Sequence, residues 1–288
     1  MSPSAEPKVW LITGASAGLG RCITEYLLGR GQRVIATCRT PSALANLKNN
    51  NAATMFLVVP LDVTKSEDIP LAFAQGKAAF GRIDVVLCNA GGSDMLEIEG
   101  MTVEMGSALF ALNFWGAADV AREAVRFFRE DNSPMGGTLL QISSLAAVQG
   151  MASIGYYSAT KSAIGTLLEA YSKEVDPAWN IQMHNIVLGS FLTRSVDPAH
   201  GDPYKHAPPP AYTGSHLTAN QMRAGYRTMR FPPAAQAARA IVDAVLSGQP
   251  LPFHLPIGHD ALAFMRKKAE EYIQSCEAVE RWSTGIVE

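Results

Sequence analysis

The sequence predicts an α/β fold: a doubly wound parallel sheet with helices on both faces. Three observations predict it. Short apolar runs alternate with stretches of helical period through the first two-thirds of the chain. Those runs are continuously apolar instead of alternating apolar and polar, which marks strands covered on both faces. A glycine-rich loop joins the first apolar run to the first helical stretch.

The elements follow in order. Val9 to Thr13 is the first strand, and Arg21 to Arg30 the first helix, with Gly31 as its stop. Val34 to Thr37, Met55 to Leu61, Val85 to Cys88, Thr138 to Ser143 and Ile181 to Leu188 read as further strands. Met105 to Arg129 and Tyr157 to Glu174 read as long helices between them. After Leu188 the alternation breaks. Val196 to Gly214 carries Pro198, Pro203, Pro208, Pro209 and Pro210, and a loop of that length is usually a lid or a binding loop. Thr218 to Met229 and Ala234 to Leu246 are helical, His254 to Ile257 suits an edge strand, and Ala261 to Arg281 reads as a terminal amphipathic helix. We expect residues 1–288 to form one domain, with residues 1–7 a flexible tail and residues 194–232 a lid insertion.

Composition narrows the function. Of 288 residues, 48% are hydrophobic and 17% charged, against about 25% charged in an average soluble chain. That excludes a disordered chain. The 24 basic and 26 acidic residues leave a net charge of -2, with no basic excess to neutralise nucleic-acid phosphates. No apolar run approaches the ~20 residues of a spanning helix. Met1 to Pro7 is polar and too short for a signal peptide, so a cytoplasmic protein is expected. Cys22, Cys38, Cys88 and Cys276 form no CxxC pair and read as buried or partly buried thiols. His200, His206 and His216 lack metal-ligand spacing, and no metal is expected.

The loop reads Thr13-Gly14-Ala15-Ser16-Ala17-Gly18-Leu19-Gly20. Glycines there allow a tight turn and a close backbone approach to a pyrophosphate, and the helix N-terminus adds unpaired N–H groups. A plain tight turn is the alternative. The spacing G-x3-G-x-G is not that of the standard dinucleotide fingerprint. Thr-Gly-x3-Gly-x-Gly resembles the short-chain dehydrogenase/reductase family, which has a Rossmann-like fold. On that resemblance Gly14, Ser16, Gly18, Leu19 and Gly20 face the cofactor.

The acidic residue that holds the adenosine ribose in NAD enzymes falls about 20 residues further on. Here that count reaches Cys38, followed by Arg39. An arginine can pair with a 2′-phosphate, so NADP(H) is expected over NAD(H). The alternative is a solvated surface arginine. Leu61-Asp62-Val63 matches the family's adenine-contacting segment, although Asp62 also suits an N-cap of the next helix. Cys88-Asn89-Ala90-Gly91 resembles the family's Asn-Asn-Ala-Gly, with Cys88 replacing the first Asn. This puts Asn89, Ala90 and Gly91 near the cofactor.

Tyr157 and Lys161 stand at i and i+4 and share a helix face. A nearby ammonium favours the phenolate and lowers a phenol pKa that otherwise sits near 10. Alone, the pair would read as a core tyrosine and a surface lysine. Tyr156 has Thr160 at its i+4 position and does not fit. Family members place a serine about 13 positions before the tyrosine, which lands on Ser144, with Ser143 the neighbouring alternative. A strand-end hydroxyl can stabilise charge developing on a substrate oxygen. Asn113, in Leu112-Asn113-Phe114-Trp115-Gly116, matches the family's fourth catalytic position, where an asparagine kinks the helix and orders a water linked to the lysine. Leu188-Gly189-Ser190-Phe191-Leu192-Thr193 matches Pro-Gly-x3-Thr with Leu188 for the proline, and adds Gly189, Phe191 and Thr193 to the cofactor contacts.

The resemblance implies hydride transfer between NADP(H) and a carbonyl or alcohol carbon, with reduction the expected direction. A non-redox epimerase, dehydratase or cyclase on the same scaffold is the rival, and a non-catalytic NADP(H)-binding protein the second. Phe191, Tyr204, Tyr212, Tyr226 and Phe231 fall in the lid region and suggest a bulky apolar small molecule of specialised metabolism, unless they only pack the lid. Trp115 and its helix are the expected contact of a homo-oligomer, a dimer or tetramer.

Overall fold

Val9–Ile12 form strand β1, whose four residues are all fully buried. The computed structural model describes residues 6–193 and 204–284. Around β1 run β2 (Arg33–Cys38), β3 (Phe56–Pro60), β4 (Val85–Cys88), β5 (Gly137–Ile142), β6 (Ile181–Leu188) and β7 (His254–Ile257). They make one sheet in the order β3-β2-β1-β4-β5-β6-β7, and each neighbouring pair is parallel. The helices are α1 (Gly18–Gly29), α2 (Ala45–Asn50), α3 (Asp68–Phe80), α4 (Val103–Phe110), α5 (Gly116–Glu130), α6 (Gly155–Glu174), α7 (Thr218–Thr228), α8 (Ala234–Leu246) and α9 (His259–Ser283).

Alternation along each strand divides the core in two. Val9, Leu11, Ile35, Val86 and Leu139 face Phe73 of α3, Phe127 and Phe128 of α5, and Ile164 of α6. Trp10, Ile12, Val34, Ala36, Leu87 and Leu140 face Ile23 and Leu27 of α1 and Ile241 and Val242 of α8. Both faces are covered, so the strands read as continuous apolar runs. The order of the sheet turns at β1, between β2 and β4, and the crevice above that point is where doubly wound sheets bind ligands.

Several expectations need correction. Met105 to Arg129 is not one α-helix: α4 gives way to a π-helical turn, Ala111–Trp115, before α5 begins. Asp62 does not cap the next helix, because α3 begins only at Asp68. Its carboxylate instead accepts from the Thr64 amide (3.1 Å) and hydroxyl (2.8 Å). The first helix begins at Gly18, three residues before the expected start, since its opening glycines carry no apolar period to read. Cys276 is exposed, on an outer face of α9. In α9 only Ala261 is fully buried, Phe264 and Met265 are half-buried, and Leu262, Tyr272, Ile273, Val279 and Trp282 are exposed, so the apolar residues of its later turns do not pack on this chain. Met1 to Ala5 of the expected tail, and residues 194–203 of the expected lid with Pro198, His200 and Pro203, lie outside the described residues. No described helix is long and apolar enough to cross a membrane.

Candidate active site

One cavity of about 750 Å³ opens over the C-terminal ends of β1, β2, β4, β5 and β6. The glycine loop forms its floor. Gly14 and Gly18 take φ of +66° and +53°, backbone that side-chain-bearing residues rarely adopt. A Cβ on Gly20 would lie 2.5 Å from both Asn89 Nδ2 and the Gly14 carbonyl oxygen. The third glycine therefore serves packing: it sets α1 against the loop and does not itself line the cavity.

Thr13 holds this floor to β4. Its hydroxyl donates to the Leu87 carbonyl (3.3 Å) and accepts from the amides of Asn89 (2.9 Å) and Ala90 (3.0 Å). Asn89 answers from the other side, its Nδ2 donating to the carbonyls of Thr13 (2.8 Å) and Gly14 (3.1 Å). α1 begins after Ala17 with no side-chain cap, so its first N–H groups stay available to an anion. These features fit a dinucleotide: positive-φ glycines, an uncapped helix start and an open cavity beside them.

At the β2 and β3 ends, exposed Arg39 lines the cavity with Asp62 and Val63. Burial works against the charge of Asp62, but the two Thr64 hydrogen bonds and the nearby Arg39 and Lys65 charges together hold its carboxyl below the usual range.

Ser143 and Ser144 directly follow β5. Ser144 caps a short turn, accepting from the Ala146 amide (3.1 Å), and stands near enough to the Tyr157 phenol to lower its pKa. Ser143 Oγ is buried without a partner. Tyr156 turns away: a Cβ on Gly106 of α4 would lie 2.6 Å from its ring. Lys161, one turn after Tyr157, is buried, donates from Nζ to the Ile142 carbonyl at 2.8 Å and lies 5.9 Å from the Tyr157 ring centroid.

The expected lowering of the phenol pKa is not what this geometry gives. Burial raises the Tyr157 phenol, and only the Ser144 hydrogen bond pulls it down. Lys161 itself is pushed down to about 8 by burial, with Cys88 opposing. The Cys88 thiol, fully buried, is pushed up to about 12, with Lys161 opposing.

Asn113 sits in the π-turn, and its side chain is fully buried. It does not line the cavity. Its Oδ1 accepts from the Gly92 amide (2.9 Å), and its Nδ2 donates to the Gly92 carbonyl (2.9 Å) and to Thr160 Oγ1 (3.1 Å). A single side chain thus pins the loop after β4 to α6, one residue before Lys161. Single π-turns inside α-helices are found mostly at functional sites.

After β6, Gly189, Phe191 and Thr193 line the cavity. Asp260 of α9 holds this segment: its Oδ2 accepts from the Ser190 amide at 2.6 Å, and a Cβ on Gly189 would collide with it. The far wall is α7. Arg223 of α7 forms a bidentate ion pair with Glu97, NH1 to Oε1 at 2.5 Å and NH2 to Oε2 at 2.6 Å, with both side chains nearly buried.

The structure therefore brings together Gly14, Ser16, Gly18, Leu19, Arg39, Asp62, Val63, Asn89, Ala90, Gly91, Ser144, Tyr157, Lys161, Gly189, Phe191 and Thr193. It leaves Gly20 and Asn113 behind the wall. Sequence reasoning missed Thr13 as a strut, Asp260 and the Glu97–Arg223 pair. Thr13 had a signal in its place before Gly14; the others pair across long stretches of chain. No group of three or more metal-ligating side chains occurs among the described residues.

Residues 8–202 match the short chain dehydrogenase family. An uncharacterised oxidoreductase of Schizosaccharomyces pombe is 30% identical over 96% of this chain and 90% of its own length. Oxidoreductase calM of Penicillium decumbens is 30% identical over 95% and 91%. A short-chain dehydrogenase structure from Streptomyces avermitilis superposes with a TM-score of 0.82, at 29% identity over 97% of this chain and 99% of that one. Two structures share the fold at lower identity. A Burkholderia cenocepacia short chain dehydrogenase in complex with NADP has a TM-score of 0.71, at 21% identity over 95% and 98%. A Burkholderia phymatum one in complex with NAD has a TM-score of 0.73, at 20% over 93% and 95%.

Proposed function

The chain belongs to the short-chain dehydrogenase family and is an oxidoreductase of it, and from that premise we propose that it reduces a carbonyl on a bulky, mostly apolar small molecule with NADP(H). One observation carries the reading: Ser144, Tyr157 and Lys161 share a cavity with the glycine loop, and Asn113 ties two of its walls together. The nicotinamide, when bound, supplies or accepts the hydride. Tyr157 donates its phenolic proton to the carbonyl oxygen as that oxygen gains charge. Burial keeps the phenol protonated, which suits an acid in the reductive direction. Ser144 orients the same oxygen by hydrogen bonding. Lys161 supports Tyr157 and would hold the ribose hydroxyls of the bound cofactor. Asn113 acts through position, since it fixes Gly92 and Thr160 without reaching the cavity.

Arg39 supports NADP(H) over NAD(H), as the cationic group at the β2 end where a ribose-binding carboxylate would stand in an NAD enzyme. Gly14, Ser16, Gly18 and Leu19 would hold the pyrophosphate, Asp62 and Val63 the adenine, Asn89 to Gly91 the ribose, and Gly189, Phe191 and Thr193 the nicotinamide. We read the protein as a cytoplasmic homo-oligomer, a dimer or tetramer, of specialised metabolism; the exposed Trp115 supports its self-association.

The test follows cofactor absorbance and product mass together over a carbonyl panel, with NADPH and NADH in parallel. Faster oxidation of NADPH and products two hydrogens heavier are expected, both lost in Tyr157→Phe. A product of unchanged mass would establish the isomerase reading instead, and cofactor binding without turnover the binding-protein reading.

A further inference from the structure

Helix α7 turns one face to the cavity: Thr218, Gln221, Met222, Gly225, Tyr226 and, just past its end, Met229 all line it. Their spacing of three and four residues is that of a single helical stripe. Arg223, off that stripe, reaches Glu97 instead. Met95 and Met151 line the cavity too, and Phe231 packs beside Tyr226. This end of the cavity is therefore mostly thioether and aromatic, a surface that accepts apolar bodies of varied outline.

On this stripe, one polar atom has no account. The Tyr226 hydroxyl is buried and makes no hydrogen bond. Its ring is clamped, edge-on to Tyr204 at 5.7 Å and tilted against Phe231 at 5.1 Å, so the hydroxyl cannot swing to another donor or acceptor. Burial, followed by Tyr204, pushes its pKa well up, which keeps it protonated and a donor. An unsatisfied buried hydroxyl costs about 1–3 kcal/mol, and phenylalanine would fill the same space without that cost. The reacting oxygen is already served by Ser144 and Tyr157.

We infer that Tyr226 is a specificity-determining residue whose phenol donates a hydrogen bond to a second oxygen of the substrate, remote from the reacting carbonyl. The preferred substrates are then apolar ring compounds with two oxygen functions, diketones or hydroxyketones, over the monoketones of the same skeleton. This rests on the carbonyl reduction proposed above.

The experiment compares trans-1-decalone with a series of decalindiones whose second oxygen moves around the ring, using wild type and Tyr226→Phe with NADPH. Wild type is expected to favour at least one dione over the decalone about tenfold in kcat/KM, as one hydrogen bond does. Tyr226→Phe abolishes that preference, lowering kcat/KM about tenfold more on the preferred dione than on the decalone, and melts at or above the wild-type temperature because an unpaired donor is gone. Three results would overturn the inference while leaving carbonyl reduction standing: no dione preferred by wild type, equal loss on decalone and dione, or a lower melting temperature that reveals a structural partner. No NADPH oxidation with any ketone overturns the reduction reading, and the inference falls with it.

Discussion

Lys161 Nζ donates to the Ile142 main-chain carbonyl at 2.8 Å, which locks α6 to the strand end that carries Ser143 and Ser144. The ammonium is buried, and its pKa falls to about 8 from 10.5 for that reason first, with Cys88 opposing. The sign follows directly. Between pH 8 and 10.5 the unfolded chain holds more protons than the folded one, so the Lys161 contribution to stability rises with pH across that window. The difference in stability between wild type and Lys161→Met should therefore shift toward wild type from pH 7 to pH 10, by about 3 kcal/mol if the whole shift is expressed. Denaturant melts at both pH values check it; a constant difference would refute it. If protonated Lys161 is needed for turnover, kcat/KM falls as pH passes about 8.

Arg39 leads to a second prediction. It is exposed, at the β2 end, beside Asp62. Arg39→Ala should lower kcat/KM for NADPH about 10- to 100-fold, the range of a charge-assisted hydrogen bond, and leave NADH nearly unchanged. Paired initial rates measure this. Equal loss with both cofactors would assign Arg39 to some other contact.

Gly20 tests the floor of the site. It does not line the cavity, yet a Cβ there meets both Asn89 Nδ2 and the Gly14 carbonyl at 2.5 Å. Gly20→Ala should cost about 1–3 kcal/mol by overpacking and weaken NADPH binding, because Asn89 and Gly14 must move together. Melting and a fluorescence titration of NADPH report the two effects. By contrast, Gly29→Ala meets nothing within 4 Å and should be neutral or stabilising.

What the sequence made legible was local. The glycine loop, the Tyr157–Lys161 step and the strand-end serine are short patterns, with spacing set by one turn or one strand. Continuous apolar runs announced a sheet covered on both faces. Asp62 also suited a cap because an Asx turn to Thr64 and a helix cap use the same residue types. The π-turn at Asn113 was not readable as such, since the bonds of its side chain to Gly92 and Thr160 are tertiary. Asp260 meets Ser190 across 70 residues, and Arg223 meets Glu97 across 126. Such pairs leave no periodic trace in either segment. The low charge content follows partly from the buried sheet, while the Met-lined face of α7 accounts for more apolar surface outside the core.

The Glu97–Arg223 pair decides whether α7 stays over the cavity. Hydrogen bonds from Arg223 hold the Glu97 carboxyl below its usual pKa, against the pull of burial. The pair's stabilisation is therefore present above the ordinary glutamate range and is lost as pH falls through the depressed folded value. Removing one partner strands the other charge in a nearly dry place, at a cost of about 3–5 kcal/mol, while removing both costs far less. Glu97→Gln should thus lower the melting temperature more than the double replacement Glu97→Gln, Arg223→Met. Because α7 supplies Met222 and Tyr226 to the cavity wall, Glu97→Gln should also raise KM for a bulky ketone and leave the NADPH affinity near wild type. Melting curves at pH 7 and pH 4 add a further check, since the gap between wild type and Glu97→Gln should narrow at the lower pH. A gap independent of pH, or a double variant less stable than Glu97→Gln, would show that the two side chains contribute by packing and not as a charged pair.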